Sequence, residues 1–347
     1  MRERRGVIIC WCGESHAVRH RRDAHTTMPR RHRLERPFGR YLGTFERNLT
    51  AAVEGGVEPL HDCRVATRRL RELWPLVAAE LGGTAARRAA RRLRWVGRAL
   101  GAVREGDVAL ELLDEVTGDG QTPADATARL RQHLDDLRSV ARHGMVVELA
   151  RANVNQLGPR LQTLVDGLGR ASSGAWTEVL ALRMRVRGEQ LRDAVDIAGV
   201  LYVPERLHAV RIAAKKLRYG FELAAEAGAT RRRAPARQLK AVQDTLGRLH
   251  DMEVLTGLIH EAPLPAVRSL PWVTHVDDLR HRLEAECRLL HSQFIGQRGA
   301  LYRSADAAAE TASRIWSRPA GSVVTPMSTK TTSADTPTPS VRCGFNG

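Results

Sequence analysis

The chain has 347 residues with 55 Lys+Arg against 39 Asp+Glu, a net charge of +16, and only 4% aromatics. A basic excess of this size points to polyanionic partners such as nucleic acid, anionic membrane or phosphate polymers, while the scarce aromatics exclude base-stacking platforms for single strands. No apolar run approaches the roughly 18 residues of a membrane span, and the scattered set Cys10, Cys12, Cys63, Cys287 and Cys343 lacks disulfide-framework spacing, so a soluble protein of a reducing cytoplasm is expected.

Residues 1–37 are rich in Arg and His without apolar periodicity and carry +6, which predicts a disordered basic tail. From Phe38 a helical period begins: Phe38, Tyr41, Leu42, Phe45 and Leu49 approximate i, i+3, i+4, i+7, and Gly55-Gly56 ends the helix. Glu58-Pro59 opens a second helix, in which Pro75 predicts a kink or restart before Gly82-Gly83. Helical patterns follow at about 84–101, 103–116, 123–150 and 152–166. Gly167, Gly169 and Gly174, with Ser172-Ser173 between them, mark a seam.

The second half repeats the order, with helices at about 175–197 and 205–227. Another opens with Arg233, Arg237 and Lys240, in register with Arg87, Arg91 and Arg94 at an offset of 146. After a loop from Pro263 to Pro271, helices at about 273–294 and 297–316 close the chain. Residues 317–347 are rich in Ser, Thr and Pro and are expected to be a disordered tail. No stretch alternates as a strand would. The expectation is an all-α tandem duplication over residues 38–316, with repeat 1 at about 38–170 and repeat 2 at about 175–316. Residues 38–317 retain +8 without the tails, so the ordered region is basic in its own right.

One stretch occurs twice. His61-Asp62-Cys63-Arg64-Val65-Ala66-Thr67-Arg68-Arg69-Leu70-Arg71 returns 147 residues later as His208-Ala209-Val210-Arg211-Ile212-Ala213-Ala214-Lys215-Lys216-Leu217-Arg218. On a helix, offsets 0, 3, 7 and 10 fall within an arc of about 80°. This places His61, Arg64, Arg68 and Arg71 on one face, and His208, Arg211, Lys215 and Arg218 on its counterpart. Ala66, Leu70 and Leu73 lie opposite in the first copy, with Val210, Ala213, Leu217 and Phe221 opposite in the second. Like charges at i,i+4 destabilise a helix by roughly 0.2–0.5 kcal/mol per pair, so a face that only had to be wet would interleave acids. A long, multiply charged anion suits these stripes better. Arg94, Arg98, Arg104, Lys240 and Arg248 on neighbouring helices are secondary candidates.

These motifs, His-x-x-Arg-Val-x-x-Arg-Arg-Leu-Arg (61–71) and His-x-x-Arg-Ile-x-x-Lys-Lys-Leu-Arg-Tyr (208–219), resemble the conserved histidine α-helical domain, the CHAD domain. The segments Leu-Gly-Ala-Val-Arg-Glu-Gly-Asp-Val (100–108) and Leu-Gly-Arg-Leu-His-Asp-Met-Glu-Val (246–254) fit it as well. The resemblance covers about residues 38–316. It implies two four-helix bundles related by internal pseudo-symmetry, with basic helix faces on a shared groove that binds inorganic polyphosphate. It also implies association with polyphosphate granules and a place beside, or fused to, triphosphate-tunnel (CYTH) enzymes. Carried over position by position, the polyphosphate-binding residues are His61, Arg64, Arg68, Arg71, His208, Arg211, Lys215 and Arg218. Glu105-Gly106-Asp107 stands where the family usually has Asp-x-Asp, and Asp244 takes the repeat position of Arg98, which weakens the second basic row in copy two.

Arginine offers a planar fork to phosphate oxygens and lysine a point charge. His61 and His208, in the first turn of their helices, are expected to donate to phosphate and gain charge below about pH 6.5, the alternative being that they fix the helix start. Glu105, Asp107, Asp251 and Glu253 are expected to pair with the stripe arginines. The H-x₃-H pair His16 and His20 lacks further ligands, so no metal site and no cofactor is expected. There is no phosphate-loop motif, and Glu284-Ala285-Glu286-Cys287-Arg288 imitates a tunnel-enzyme motif only in a helical pattern. A binding protein is therefore expected rather than a polyphosphate or triphosphate hydrolase. Nucleic-acid binding, for which the charge suffices but no docking motif is present, is the other reading.

Overall fold

A computed structural model describes residues 33–168, 174–263 and 271–317. Within them the chain forms α1 (Glu35–Glu54), α2 (Val57–Leu81), α3 (Gly83–Thr117), α4 (Ala124–Arg151), a 3-10 turn (Val154–Gln156), α5 (Leu157–Val165), α6 (Ala175–Ala198), α7 (Pro204–Glu226), α8 (Ala234–His260) and α9 (Pro271–Trp316). No strand occurs among the described residues, and the all-α class expected from the periodicity holds.

The helices start and stop where their backbone chemistry allows. Pro204 begins α7, where its missing N–H costs no bond. Gly82 and Gly83 both adopt positive φ (63° and 80°), which turns the chain from α2 directly into α3; a side chain at either would be strained there. Pro75 does not restart α2, contrary to expectation. Leu73, Trp74, Leu76 and Val77 around it are all buried, and their packing outweighs a helix-interior proline's cost of about 3 kcal/mol.

Three further boundaries differ from the sequence reading. The stretches expected as 84–101 and 103–116 are one helix, α3, because Leu100, Gly101 and Val103 bury continuously across the supposed break. Likewise 273–294 and 297–316 form the single 46-residue α9, whose Phe294 and Leu301 are both fully buried. The ordered region also begins earlier than residue 38. Leu34 is fully buried and α1 starts at Glu35. The readings for residues 1–32, 169–173, 264–270 and 318–347, including His16 and His20, lie outside the described residues.

Consecutive helices pack side by side in each half: α1 on α2, α2 on α3 and α3 on α4, then α6 on α7, α7 on α8 and α8 on α9. In the second half α6 also closes on α9, completing a four-helix bundle. The first half differs at that edge, where α5 packs on α1 and α3. Asn153 in the left-handed conformation (φ 47°) breaks the chain after α4, and Pro159, unable to donate in an uninterrupted helix, lies in the restarted α5. The halves share one continuous hydrophobic cluster and meet along α2–α6, α2–α7, α3–α8 and α4–α9.

Candidate functional site

The two motif helices, α2 and α7, lie against each other with their apolar sides in the core. Ala66, Leu70 and Leu73 are buried on α2, and Val210, Leu217 and Phe221 on α7; Ala213 is half-buried, with Ala214 behind it fully so. Cys63, inside the first motif, points inward and donates from Sγ to the carbonyl of Phe45 (3.4 Å). Burial there pushes its thiol up to about 12.

Between the helices stands Tyr219, 3% exposed. Its ring carries three guanidinium groups from both repeats: Arg68 Cζ at 5.0 Å, Arg69 Cζ at 4.7 Å and Arg218 Cζ at 5.0 Å from the centroid. A cation over an aromatic face gains about 0.5–2 kcal/mol depending on desolvation, which helps hold like charges together. The Tyr219 hydroxyl and the Nε atoms of Arg68 and Arg218 are buried with no hydrogen-bond partner among the described residues.

Around this ring Arg64 and Arg68 from α2 meet Arg211, Lys215 and Arg218 from α7. Burial, and then repulsion from Arg68, Arg211, Arg64 and Arg218, together lower the Lys215 amine to about 7. Burial also lowers the guanidinium of Arg68, which Tyr219 opposes and which Arg64, Arg69 and Arg218 reinforce. Arg211 is lowered by burial as well, against the attraction of Asp251. The carboxylates in reach are few. Glu105 stands 4.0 Å from Arg64, and its repeat counterpart Asp251 stands 4.0 Å from Arg211. Glu222 accepts from Arg69 and pairs with Arg218 at 3.2 Å, bridging the helices. Arg68 and Lys215 have no carboxylate within ion-pair distance among the described residues.

Five of the eight motif cations expected at the site thus converge. His208 adjoins them: its Nδ1 lies 3.3 Å from Nδ1 of His250 on α8, with ring centroids 4.6 Å apart. Burial, then Arg211 and Lys215, lower His208 from its ordinary value, and the same causes with His208 lower His250 to about 4. The expectation that His208 gains charge below about pH 6.5 is corrected, since burial and then the neighbouring cations keep it neutral further down. His61 is half-buried and makes no hydrogen bond, ion pair or ring contact with the cluster among the described residues. Both histidines are the fifth residue of their helix, and neither helix start is capped by a side chain. The reading that they fix the helix start therefore fails.

Arg71 belongs to a separate group. Its Nη1 would be 2.9 Å from a Cβ at Gly97, so the bare glycine seats it on α3, where Arg94 and Arg98 add repulsion to the burial that lowers it. The other secondary candidates are neutralised in place. Arg104 is held by Glu111 (2.9 and 3.1 Å), Arg248 by Glu115 of α3 (2.5 and 2.6 Å), and Lys240 by Asp244 (2.6 Å). Of the four acids, Glu105 and Asp251 do flank stripe arginines. Asp107 is instead buried beside Arg138 of α4 at 3.6 Å, and Glu253 accepts from Tyr202 (2.9 Å), because Asp107 and Glu253 lie two residues further along their helices, about 200° around.

Arg69, Tyr219 and Glu222 were not read as site residues from the sequence. Arg69 falls outside the first 80° stripe and Glu222 continues the line of the second one turn past the motif's end, and only the approach of α2 to α7 brings the two together. Glu72, just past the first motif, accepts from Arg183 (2.9 Å) and Arg187 (2.5 Å) of α6 and fastens the two repeats beside the cluster. Among the described residues no group of three or more His, Cys, Asp or Glu could hold a metal ion, and no helix is long and apolar enough to cross a membrane.

The fold compares with solved structures. The crystal structure of the CHAD domain from the plant Ricinus communis matches with a TM-score of 0.58 and 24% identity, over 78% of this chain and 90% of that one. PptA from Streptomyces chartreusis matches with a TM-score of 0.49 and 18% identity, over 81% and 98%. No curated protein matches. The CHAD domain family model matches residues 38–260, which takes in both motif helices, α3 and α8. With the duplicated motif, the helix order and the family model in agreement over most of its length, the chain belongs to the CHAD domain family.

Proposed function

We propose that this chain binds inorganic polyphosphate in a basic groove between α2 and α7, without catalysing its turnover. The observation that carries the reading is the convergence of Arg64 and Arg68 from one repeat with Arg211, Lys215 and Arg218 from the other, two of them without an acid partner among the described residues. Gathering five cations destabilises the ligand-free protein, and a polyanion relieves that strain. The family is linked to polyphosphate binding in general and is not generally catalytic.

Each charge-assisted bond to a phosphate oxygen contributes about 1.5–3 kcal/mol where partly desolvated, and arginine forks can take two oxygens at once. His208 sits at the margin as a neutral hydrogen-bonding group. Arg71, Arg94 and Arg98 extend the basic surface on α3, while the buried Nε atoms of Arg68 and Arg218 find no acceptor among the described residues. In the cell this reading places the protein in the cytoplasm, on polyphosphate granules, with a CYTH-type triphosphatase as a candidate partner.

The test is a polyphosphate titration of the full chain and of a variant with Arg64, Arg68, Arg211 and Lys215 changed to Ala, each with labelled duplex DNA as competitor. Polyphosphate should displace DNA at far lower concentration than the reverse, and the variant should lose most of its affinity. The opposite order would make this a nucleic-acid binder, and phosphate release from polyphosphate with Mg²⁺ would make it an enzyme.

A further inference from the structure

Four lysines occur in the whole chain, at positions 215, 216, 240 and 330, against 51 arginines. Three lie among the described residues, in very different settings. Lys240 is exposed and bonded to Asp244 (2.6 Å). Lys216, next to the cluster, is also exposed. Lys215 is half-buried, one helical turn after Arg211 and one before Tyr219, whose ring seats Arg68, Arg69 and Arg218, and it has no acid partner among the described residues.

Every neighbouring element contributes to that setting. From α2 come Arg64 and Arg68; on α7 itself are His208, Arg211 and Arg218; from α8 comes His250, which the Lys215 charge also affects. Asp251 and Glu105 lean on Arg211 and Arg64 instead, and Glu222 is taken by Arg69 and Arg218. A primary amine so placed loses its proton far more readily than an ordinary lysine. The guanidiniums that expel the proton are also the groups that hold phosphate.

We infer that Lys215 is a modification site, acylated at its ε-nitrogen by acyl phosphates that dock their phosphate on the surrounding arginines. The lone pair of the neutral amine attacks the acyl carbon. The bond from that carbon to the bridging oxygen breaks, orthophosphate leaves with the electron pair, and the surplus proton on nitrogen passes to solvent. The product is an amide that carries no charge at any pH. Acylation therefore removes one of the five converging cations for good and weakens the same surface for any polyanion. The inference shares the cation cluster with the proposed function, yet it does not require polyphosphate to be the ligand.

The experiment incubates the full chain with acetyl phosphate at pH 7 and follows each lysine by peptide mass spectrometry. An amine with a pKa near 7 is about half neutral there, against roughly one part in several thousand for an ordinary lysine. A lower pKa also makes a weaker nucleophile, by a Brønsted factor of about 0.4–0.5 per unit measured for thiols, so Lys215 should acetylate on the order of tenfold or more faster than Lys216 and Lys240. Its rate should level off by about pH 8 while theirs keep rising. A second arm uses acetic anhydride, which carries no phosphate, and the preference for Lys215 should shrink. Equal rates at the three lysines would overturn the assignment, and an unchanged preference with the anhydride would remove the docking step from it. A polyphosphate-protected sample separates the two readings: faster acetylation of Lys215 that polyphosphate leaves unslowed supports the modification site while counting against polyphosphate as the ligand.

Discussion

The guanidinium carbon of Arg68 on α2 stands 5.0 Å from the ring centre of Tyr219 on α7, so one repeat's cation is seated on the other repeat's aromatic. Arg69 and Arg218 share the ring. The buried ring keeps water from screening the three charges and sets Arg68 toward Lys215 without a carboxylate of its own. That arrangement makes the ligand-free protein sensitive to pH and to added anions.

Polyphosphate affinity should fall as pH rises through about 7. Lys215 is the group responsible, its amine being lowered to about 7. A bound anion favours its charged form, so above pH 7 binding must draw a proton from solvent. Below pH 7 the proton is already present and affinity is flat in this group. Calorimetry in two buffers of different ionisation enthalpy should detect proton uptake at pH 8 and little at pH 6. A pH-independent affinity between 6 and 8.5 would rule out Lys215 as a contact.

Lys215→Met should stabilise the ligand-free protein while weakening polyphosphate binding. The folded amine titrates below its unfolded value of 10.5, so the unfolded chain holds more protons between about pH 7 and 10.5. The charged lysine's penalty is thus full below pH 7 and shrinks as pH rises toward 10.5. Allowing for solvent screening, denaturation at pH 6.5 should show a gain of about 1–2 kcal/mol, smaller at pH 9. A loss of stability at both pH values would contradict the cluster's electrostatics.

Gly97→Ala should split stability from binding. Gly97 lies inside α3, where alanine gains about 0.5–1 kcal/mol of helix propensity. The new methyl would lie 2.9 Å from Nη1 of Arg71, the mobile end of that side chain, and displaces it from α3. Thermal unfolding should move up slightly while affinity for long-chain polyphosphate falls a few-fold. Unchanged affinity would show that Arg71 takes no part.

Glu72→Gln should destabilise the protein by roughly 2–3 kcal/mol by leaving two partly buried guanidiniums without their shared charge. Arg183 and Arg187 come from α6 and Glu72 from α2, so the loss falls on the seam between the repeats. Hydrogen exchange should rise first in α6 and α2. A change below about 0.5 kcal/mol, the size of an exposed pair, would mean the seam is held by apolar packing alone.

Affinity should drop steeply with salt, with log K falling against log salt at a slope of about −4 if five cations are engaged at 0.7–0.9 each. Lys215→Met at pH 6 should flatten the slope by about one unit. A slope near −1 would mean that only the rim charges meet the ligand.

Much was legible in the residues themselves. The 3.6-residue period of Phe38, Leu42 and Phe45, the paired motifs and the 146–147-residue offset sufficed for an all-α duplication, because burial periodicity is a local property of a helix. Boundaries were less legible at Pro75, near residue 102 and near residues 295–296, where the local pattern suggested interruptions. Packing around Trp74, Leu100 and Phe294 carried the helices through, and packing energy does not show in a local window.

The sequence by itself determined which residues can share a face: Arg64 with Arg68, and Arg211 with Lys215 and Arg218, since helix geometry sets those angles. Only the tertiary structure decided which faces meet. It brought the two stripes together over Tyr219, sent Arg71 away to Gly97, gave Arg104, Lys240 and Arg248 acids of their own, and brought Arg69 to Glu222. Coulomb energy depends on distance and burial, and neither is defined until the second repeat closes on the first.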